Sequence, residues 1–341
     1  MVYGWSRVAK YSSSHLDRKL ERIAMSTLNK TFRKALALAI ASTLLIGLGA
    51  CSSQGYGKDL NPKTSSFLFE KFKQGEYIAP YDPPRADVGA TMEAMVQLSG
   101  VGYDRQKQSK AIDWLTSNTN LVNSPGLRGE YLFTAFALGF ESDSTVSPIL
   151  TSLKEDIDEN GEIKDTNNFS YCWVILGLAA SGEEKLANTV AMNLFGKSEN
   201  NGGYKYTTGD ISGPATADVT GFAVMGLKAT EGFGSSEDEA AKTFALGRAK
   251  SWLATYAKTK NHWFGYGDVD VSGTAYGTMA LKALGEPNDE YIKWLKGRIN
   301  PADSGVTAPW TEPDSDTFST LQSILPLSDL NFLDILNQLK N

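Results

Sequence analysis

Six apolar segments recur along this chain, and their spacing is the feature that most limits what it can fold into. Each is rich in Ala, Gly, Leu and Met and carries almost no charge, and they begin at Asp87, Gly129, Phe169, Asp218, Asp270 and Asp314. The intervals, roughly forty to fifty-five residues, lie in or near the range of helical repeat proteins. A helix without a polar face must be buried on every side. The segments therefore predict six buried helices.

The stretches between these segments have one apolar stripe and one charged face. Residues 108–118, 237–258 and 288–298 show apolar residues at spacings of three and four, which is typical of amphipathic helices. A further helix is expected over 65–73. Fully buried and half-buried helices then alternate, as two concentric rings require. The sequence predicts an all-α fold, an (α/α)6 toroid of about twelve helices.

Aspartates stand at the start of several buried segments. Asp87, Asp218, Asp270, and Asp314 or Asp316 lie where a carboxylate caps free backbone N–H groups and complements the helix dipole. We interpret most of them as helix caps. If the ring closes, these helix ends meet at one mouth, where several carboxylates could bind a cationic or polyhydroxylated ligand or raise one another's pKa.

Glycine-rich aromatic turns at 159–163, 200–206 and 262–268 accompany the repeats. Together with the Asp-Val-Ser-Gly-Thr-Ala start at Asp270 and the Ala-x-x-Trp-Leu pattern at Ala111 and Ala249, they make residues 65–341 resemble the prenyltransferase and squalene-cyclase repeat superfamily. The resemblance implies an α/α toroid of six helical hairpins around a central cavity. Non-catalytic toroids that resemble this layout, such as the barrel domain of vitamin B12 carriers, bind ligands.

The catalytic motifs of that superfamily are incomplete in this chain. The Asp-x-Asp-Asp acid motif of the cyclases is matched by Asp268 and Asp270, but Val271 stands where the last acid belongs. The zinc set of the protein prenyltransferases has only Cys172, preceded by Ser170 instead of an aspartate, and His262. We therefore expect no metal and no cofactor. A Ser-His-Asp mechanism would have to use His262, which we expect in a surface turn.

Aromatic residues of the buried segments suggest a lining for the cavity. We expect an apolar, aromatic pocket with an acidic rim, suited to an elongated apolar or amphipathic ligand. The predicted ligand-binding residues are Tyr131, Tyr171, Asp218, Trp263, Tyr266, Asp270, Tyr276, Trp310 and Asp314.

The start of the chain reads as an export signal. Residues 1–24 form an upstream extension, or a long leading region if translation does not start at Met25, and 25–50 have the basic patch, short apolar run and small residues of a signal peptide. The segment before Cys51 resembles the lipobox of bacterial lipoproteins, which implies cleavage before Cys51 and a lipid on it. Residues 51–64 would form a flexible tether. We expect the protein at the extracytoplasmic face of a bacterial cell membrane, and a plain signal anchor or secretory peptide is the alternative.

Removal of the first 50 residues leaves an acidic chain. That segment holds 8 of the 33 Lys and Arg and 2 of the 39 Asp and Glu, so 25 basic and 37 acidic residues remain. Such a surface disfavours nucleic acid as a partner. Cys172 is the only other cysteine, so no internal disulfide forms once Cys51 is lipidated. We expect a monomer.

These observations leave three functions open. The first is a lipid-anchored protein that binds a small molecule or envelope component without catalysis, which the incomplete motifs favour. The second is an enzyme acting on an isoprenoid or a glycan, with Asp270 as general acid aided by Asp268. The third is a structural lipoprotein without a ligand.

Overall fold

The computed structural model describes residues 56–340 apart from 82, 165, 208–212, 257–260 and 266–267. This part of the chain forms thirteen α-helices and three short hairpins, which confirms the all-α prediction. In chain order the helices are α1 (Pro62–Glu70), α2 (Val88–Gly100), α3 (Ser109–Ser117), α4 (Pro125–Ala137), α5 (Val146–Glu155), α6 (Asn168–Ala180), α7 (Glu184–Gly196), α8 (Ala217–Ala229), α9 (Ser236–Tyr256), α10 (Val271–Ala283), α11 (Asp289–Lys296), α12 (Thr317–Leu327) and α13 (Phe332–Leu339).

The six even-numbered helices from α2 to α12 form a closed inner ring. Each packs against the next, and α12 packs against α2. Small residues permit the close approach, because a methyl group at Gly221 of α8 would lie 2.6 Å from the Tyr276 carbonyl oxygen of α10. Nearly all residues of these helices are buried, as their uniform apolarity predicts.

The outer ring differs from the simple alternation of the repeats. Helices α3, α5, α7, α9 and α11 pack outside the inner ring, and the sixth outer place, between α12 and α2, is taken by α1. The last helix, α13, instead packs on α4, α6 and α8. Its first residue, Phe332, is completely buried. We call the end of the ring that α13 covers the closed end; it is formed by the C-terminal ends of the inner helices.

Short antiparallel hairpins lead into three of the inner helices. Strand β1 (Phe72–Lys73) pairs with β2 (Tyr77–Ile78) before α2, β3 (Trp263–Gly265) pairs with β4 (Asp268–Asp270) before α10, and β5 (Val306–Thr307) pairs with β6 (Ser315–Asp316) before α12. They place the ends of the loops beside the N-terminal ends of the inner helices. We call this end of the ring the mouth.

The structure describes only part of the predicted tether, from residue 56 onward. Residues 56–61 pack on the body, and α1 begins at Pro62 rather than at Ser65, because a proline favours the first turn of a helix. The predicted signal peptide and Cys51 lie outside the described residues. Within the described residues, no helix is both long and apolar enough to cross a membrane.

Candidate functional site

A repeated clip fixes the hairpins to the inner helices at the mouth. Asp270 caps α10 by accepting a hydrogen bond from Gly273 N at 2.8 Å. Thr274 lies four residues after Asp270. Its hydroxyl donates a hydrogen bond to the Asp270 carbonyl and accepts one from the backbone N–H of Trp263 in the hairpin. The same Asp-x-x-x-Thr arrangement recurs at Asp87 with Thr91 and at Asp316 with Thr320. The caps and the hairpins are thus joined in one rigid rim.

Asp218 departs from this register. Thr216 holds the N-cap position of its helix α8 without a side-chain capping bond, and Thr220 takes the clip position by accepting from Tyr204 N at 2.9 Å. The prediction that Asp218 is a cap is therefore wrong, because the residue stands two places inside the helix. One of its carboxylate oxygens is buried and has no hydrogen-bond partner among the described residues. Asp218 therefore does not cap its helix, whereas Asp270 and Asp316 cap theirs.

The centre of the ring is filled rather than open. Aromatic rings of four inner helices pack together, with Phe169 in contact with Phe222 at 4.7 Å between centroids and Trp173 with Phe222 at 4.8 Å. From the closed end Phe332 inserts its ring 5.1 Å from Trp173 and 5.6 Å from Phe222. The apolar central pocket predicted from the sequence is thus occupied by the protein's own side chains. The half-buried Phe169, in the first turn of α6, lies on the mouth side of this stack.

Two glutamates lie buried just below the mouth. Glu93 of α2 accepts a hydrogen bond from the hydroxyl of Tyr276 of α10 at 2.7 Å, across the ring. Burial raises the pKa of Glu93 to about 7, against hydrogen bonds from Tyr276 and glutamines that favour its charged form. Glu130 of α4 is also buried, and burial together with the charges of Glu93 and Asp87 raises its pKa well above the usual range. Both carboxyls therefore keep their protons to a higher pH than an exposed glutamate does.

Asp270 is the third carboxyl with a perturbed pKa. Burial and the neighbouring charge of Asp218 raise the pKa of Asp270 to about 6. Two glycines make room for its carboxyl: a methyl group at Gly265 would lie 2.7 Å from Oδ2, and one at Gly273 would clash with the same atom. The chain thus holds a protonatable carboxyl beside a second carboxylate on the neighbouring helix.

Exposed aromatic residues surround this end of the ring. Tyr81 donates its hydroxyl to Asp87 and contacts Phe318 of α12, and Tyr206 accepts from the Asn167 side chain at the start of α6. Phe264 projects from the hairpin before α10, and Trp310, 65% exposed, stands in the loop before α12. Large exposed aromatics gathered at one end of a protein are typical of a binding surface.

The structure places the predicted ligand residues in three different settings. Tyr131, Tyr171 and Trp263 are buried between the rings, with their polar atoms bonded to Thr145, to Ile163 N and to the Leu253 carbonyl. They belong to the core. For Tyr131 and Tyr171 the sequence did not reveal this, because an all-apolar helix gives no sign of which side faces the centre. Tyr276 lies in the centre, and Asp218, Asp270, Trp310 and Asp314 lie at or around the mouth. Tyr266 lies outside the described residues.

The other candidates take no part in the carboxyl cluster. Asp268 is exposed and accepts a hydrogen bond from the neighbouring Val269 N. Cys172 is buried and donates to the Asn168 carbonyl, and the ring of His262 stacks on Trp294. Among the described residues, no three His, Cys, Asp or Glu side chains are grouped so that they could hold a metal ion.

Glu93 and Glu130 are the residues that the sequence analysis missed. Both stand inside segments that were described as nearly uncharged, and a single acid in such a helix was the available signal. An ionised carboxylate is seldom buried without a partner, so an acid in an apolar run indicates a perturbed group.

Comparisons with known proteins show the fold alone. The sequence matches no family model and no curated protein. Solved structures are similar in shape: the unsaturated glucuronyl hydrolase from Bacillus sp. GL1, responsible for the degradation of glycosaminoglycan, has a TM-score of 0.56 at 10% identity over 78% of this chain and 93% of its own. A possible member of the GH105 family from Salmonella enterica has a TM-score of 0.54 at 12% identity, covering 82% and 93%.

A third similar structure is that of haptocorrin in complex with Cbi, with a TM-score of 0.54 at 11% identity over 80% of this chain and 67% of its own. These neighbours are α/α toroids and confirm the predicted architecture. Membership of the prenyltransferase and squalene-cyclase superfamily stays a prediction.

Proposed function

We propose that this chain acts on a glycan at the mouth of the toroid, with Asp270 as general acid. The observation that carries the proposal is the carboxyl of Asp270, whose pKa of about 6 leaves it protonated in mildly acidic solution beside Asp218. A general acid works best when its pKa lies near the working pH. Where two neighbouring carboxyls lie in environments that push their pKa values apart, the group with the raised pKa is usually the acid and the other the base.

The pair of Asp270 and Asp218 suits hydrolysis of a glycosidic bond. Asp270 would give its proton to the leaving oxygen as the bond from that oxygen to the anomeric carbon breaks. Asp218, with an unpartnered carboxylate oxygen, would take a proton from the water that adds to the same carbon. Asp270 becomes charged as it gives up its proton and Asp218 becomes protonated, and both return to their starting states by exchange with water.

The surroundings of the pair favour a polyhydroxylated ligand over an apolar one. The aromatic centre is packed with Phe222, Trp173 and Phe332, so an isoprenoid would find no apolar space there. The ring of Trp310 beside the mouth is largely exposed and offers a flat apolar face of the kind that stacks on sugar rings. One of the similar structures is that of a glucuronyl hydrolase responsible for the degradation of glycosaminoglycan.

The protein would meet its substrate in the cell envelope. We propose that Cys51 carries a lipid and holds the protein at the extracytoplasmic face of a bacterial membrane, because the basic patch, apolar run and small residues before it match an export signal. Mass spectrometry of the N-terminal peptide tests this. A lipid mass on Cys51 supports the anchor, and a peptide that begins elsewhere without lipid contradicts it.

Activity is tested with a panel of neutral, amino-sugar and uronate oligosaccharides, followed by mass spectrometry of the products. We expect wild type to cleave members of the panel and Asp270→Asn to lose roughly 10²–10⁴-fold in rate. Asparagine also caps helices well, so this variant should fold. Asp268→Asn, in the same hairpin but exposed, is the matched control and should keep full activity.

Two results would contradict the proposal. Unchanged turnover in Asp270→Asn would show that Asp270 is not the general acid. Binding of a glycan with no turnover by wild type would replace catalysis by recognition alone.

A further inference from the structure

The first described residues form a strap across the closed end. Gly57 N donates to the Gly100 carbonyl at the end of α2 at 2.9 Å, and the Tyr56 hydroxyl donates to the Ala137 carbonyl at the end of α4 at 2.7 Å. The strap is residues 56–61. It begins, therefore, at the end of the ring opposite the mouth.

Contacts with the end of the chain hold the strap in place. Asn61 Nδ2 donates to the Leu327 carbonyl at 2.7 Å, and Gln338 Nε2 of α13 donates to the Tyr56 carbonyl at 2.7 Å. A methyl group added to Gly57 would lie 2.6 Å from Leu330 Cδ2, so the backbone is pressed onto the segment between α12 and α13. Its starting point is thus fixed to the closed end by several elements.

We propose that the closed end faces the membrane and that the mouth opens away from it. This inference rests on the proposed lipid on Cys51. Cys51 lies only five residues before Tyr56, and five residues of fully extended chain span at most about 18 Å. An inner helix of thirteen residues is about 20 Å long, so the mouth lies about that far from the closed end and beyond the reach of this segment from Tyr56.

The charged residues of the closed end do not bind this face to the membrane by themselves. Exposed Glu141, Glu184 and Glu231 are interspersed with exposed Arg105 and Lys107 around this face. Acidic residues outnumber basic ones in the loops of this end, so attraction to anionic headgroups is weak. The tether supplies the attachment, and the short reach of the tether supplies the orientation. Glycans beyond the membrane surface would then meet the carboxyls of the mouth first.

Site-specific labelling measures this orientation. Single cysteines replace Glu141 at the closed end, Asp113 at the middle of outer helix α3, and Ala86 at the mouth, all three of which are exposed. Cys172 is buried and Cys51 is lipidated, so a fluorophore couples to the introduced thiol. The lipidated proteins are placed in liposomes that carry a quencher on the lipid headgroups.

We expect quenching to decrease in the order Glu141→Cys, Asp113→Cys, Ala86→Cys, with at least a twofold difference between the ends. The reverse order, or equal quenching at all three positions, would overturn the orientation while leaving the anchor and the glycan activity untouched. Absence of lipid on Cys51 in the same preparations would remove the anchor, and the orientation with it, without bearing on Asp270.

Discussion

Phe332 offers a direct test of the way the last helix completes the ring. Its side chain is fully buried, and its ring lies within 6.2 Å, between centroids, of Phe133, Trp173, Phe222 and Tyr276. Replacing it with alanine removes the ring from a site lined by four helices that also pack on each other. Because those helices are held by their own neighbours, the cavity should collapse only in part.

The expected cost is about 3–5 kcal/mol of the free energy of unfolding, the range for a buried phenylalanine truncated to alanine. Phe332→Leu keeps much of the volume and should cost about 1–1.5 kcal/mol. Both are measured by urea denaturation, with the slope unchanged if only stability is affected. Phe244→Ala is the matched control, because that ring is 59% exposed and its loss should change stability by no more than about 0.5 kcal/mol. A loss below about 1 kcal/mol for Phe332→Ala would refute the account of a plugged ring.

Two further predictions concern the mouth. Thr274→Val leaves the buried Trp263 N–H without an acceptor and should cost about 1–3 kcal/mol in urea denaturation, whereas Thr278→Val removes only a donor to a helix carbonyl and should cost less than about 1 kcal/mol; equal losses would contradict the clip. Glu93 has a pKa raised from 4.5 to about 7, so its contribution to stability is complete below about pH 4.5 and is lost as the pH rises through 7. Glu93→Gln should therefore remove a decline of roughly 3 kcal/mol over this range, relative to the exposed control Glu141→Gln, and an unchanged pH dependence would exclude the perturbed pKa.

The ring could be predicted because its signal is repeated. Each inner helix lacks a polar face, as α8 and α10 show, and only burial on all sides satisfies such a pattern. The role of α13 could not be predicted, since an amphipathic stripe fits an outer helix as well as a plug. Its position depends on α1 having filled the sixth outer place, which is a property of the whole ring.

The site was predicted in part. Asp270 and Asp218 were both named as candidates, but Asp218 was wrongly assigned to the N-cap position of its helix. The clip threonines would have corrected it, because Thr220 aligns with Thr274 and places Thr216 opposite Asp270. The burial of Tyr131 and Tyr171 between the rings could not be predicted from the sequence, because both faces of an inner helix are apolar and one of them faces the outer ring.

The central claim is that Asp270 stays protonated in mildly acidic solution, up to about pH 6. Carbon NMR of protein labelled at the aspartate carboxyls measures this directly, and the signal missing from Asp270→Asn identifies the residue. The account predicts that this carboxyl titrates at about pH 6, because it is buried beside Asp218. Titration near 3.8, the ordinary value for an aspartate, would contradict it and remove the general acid from the mouth.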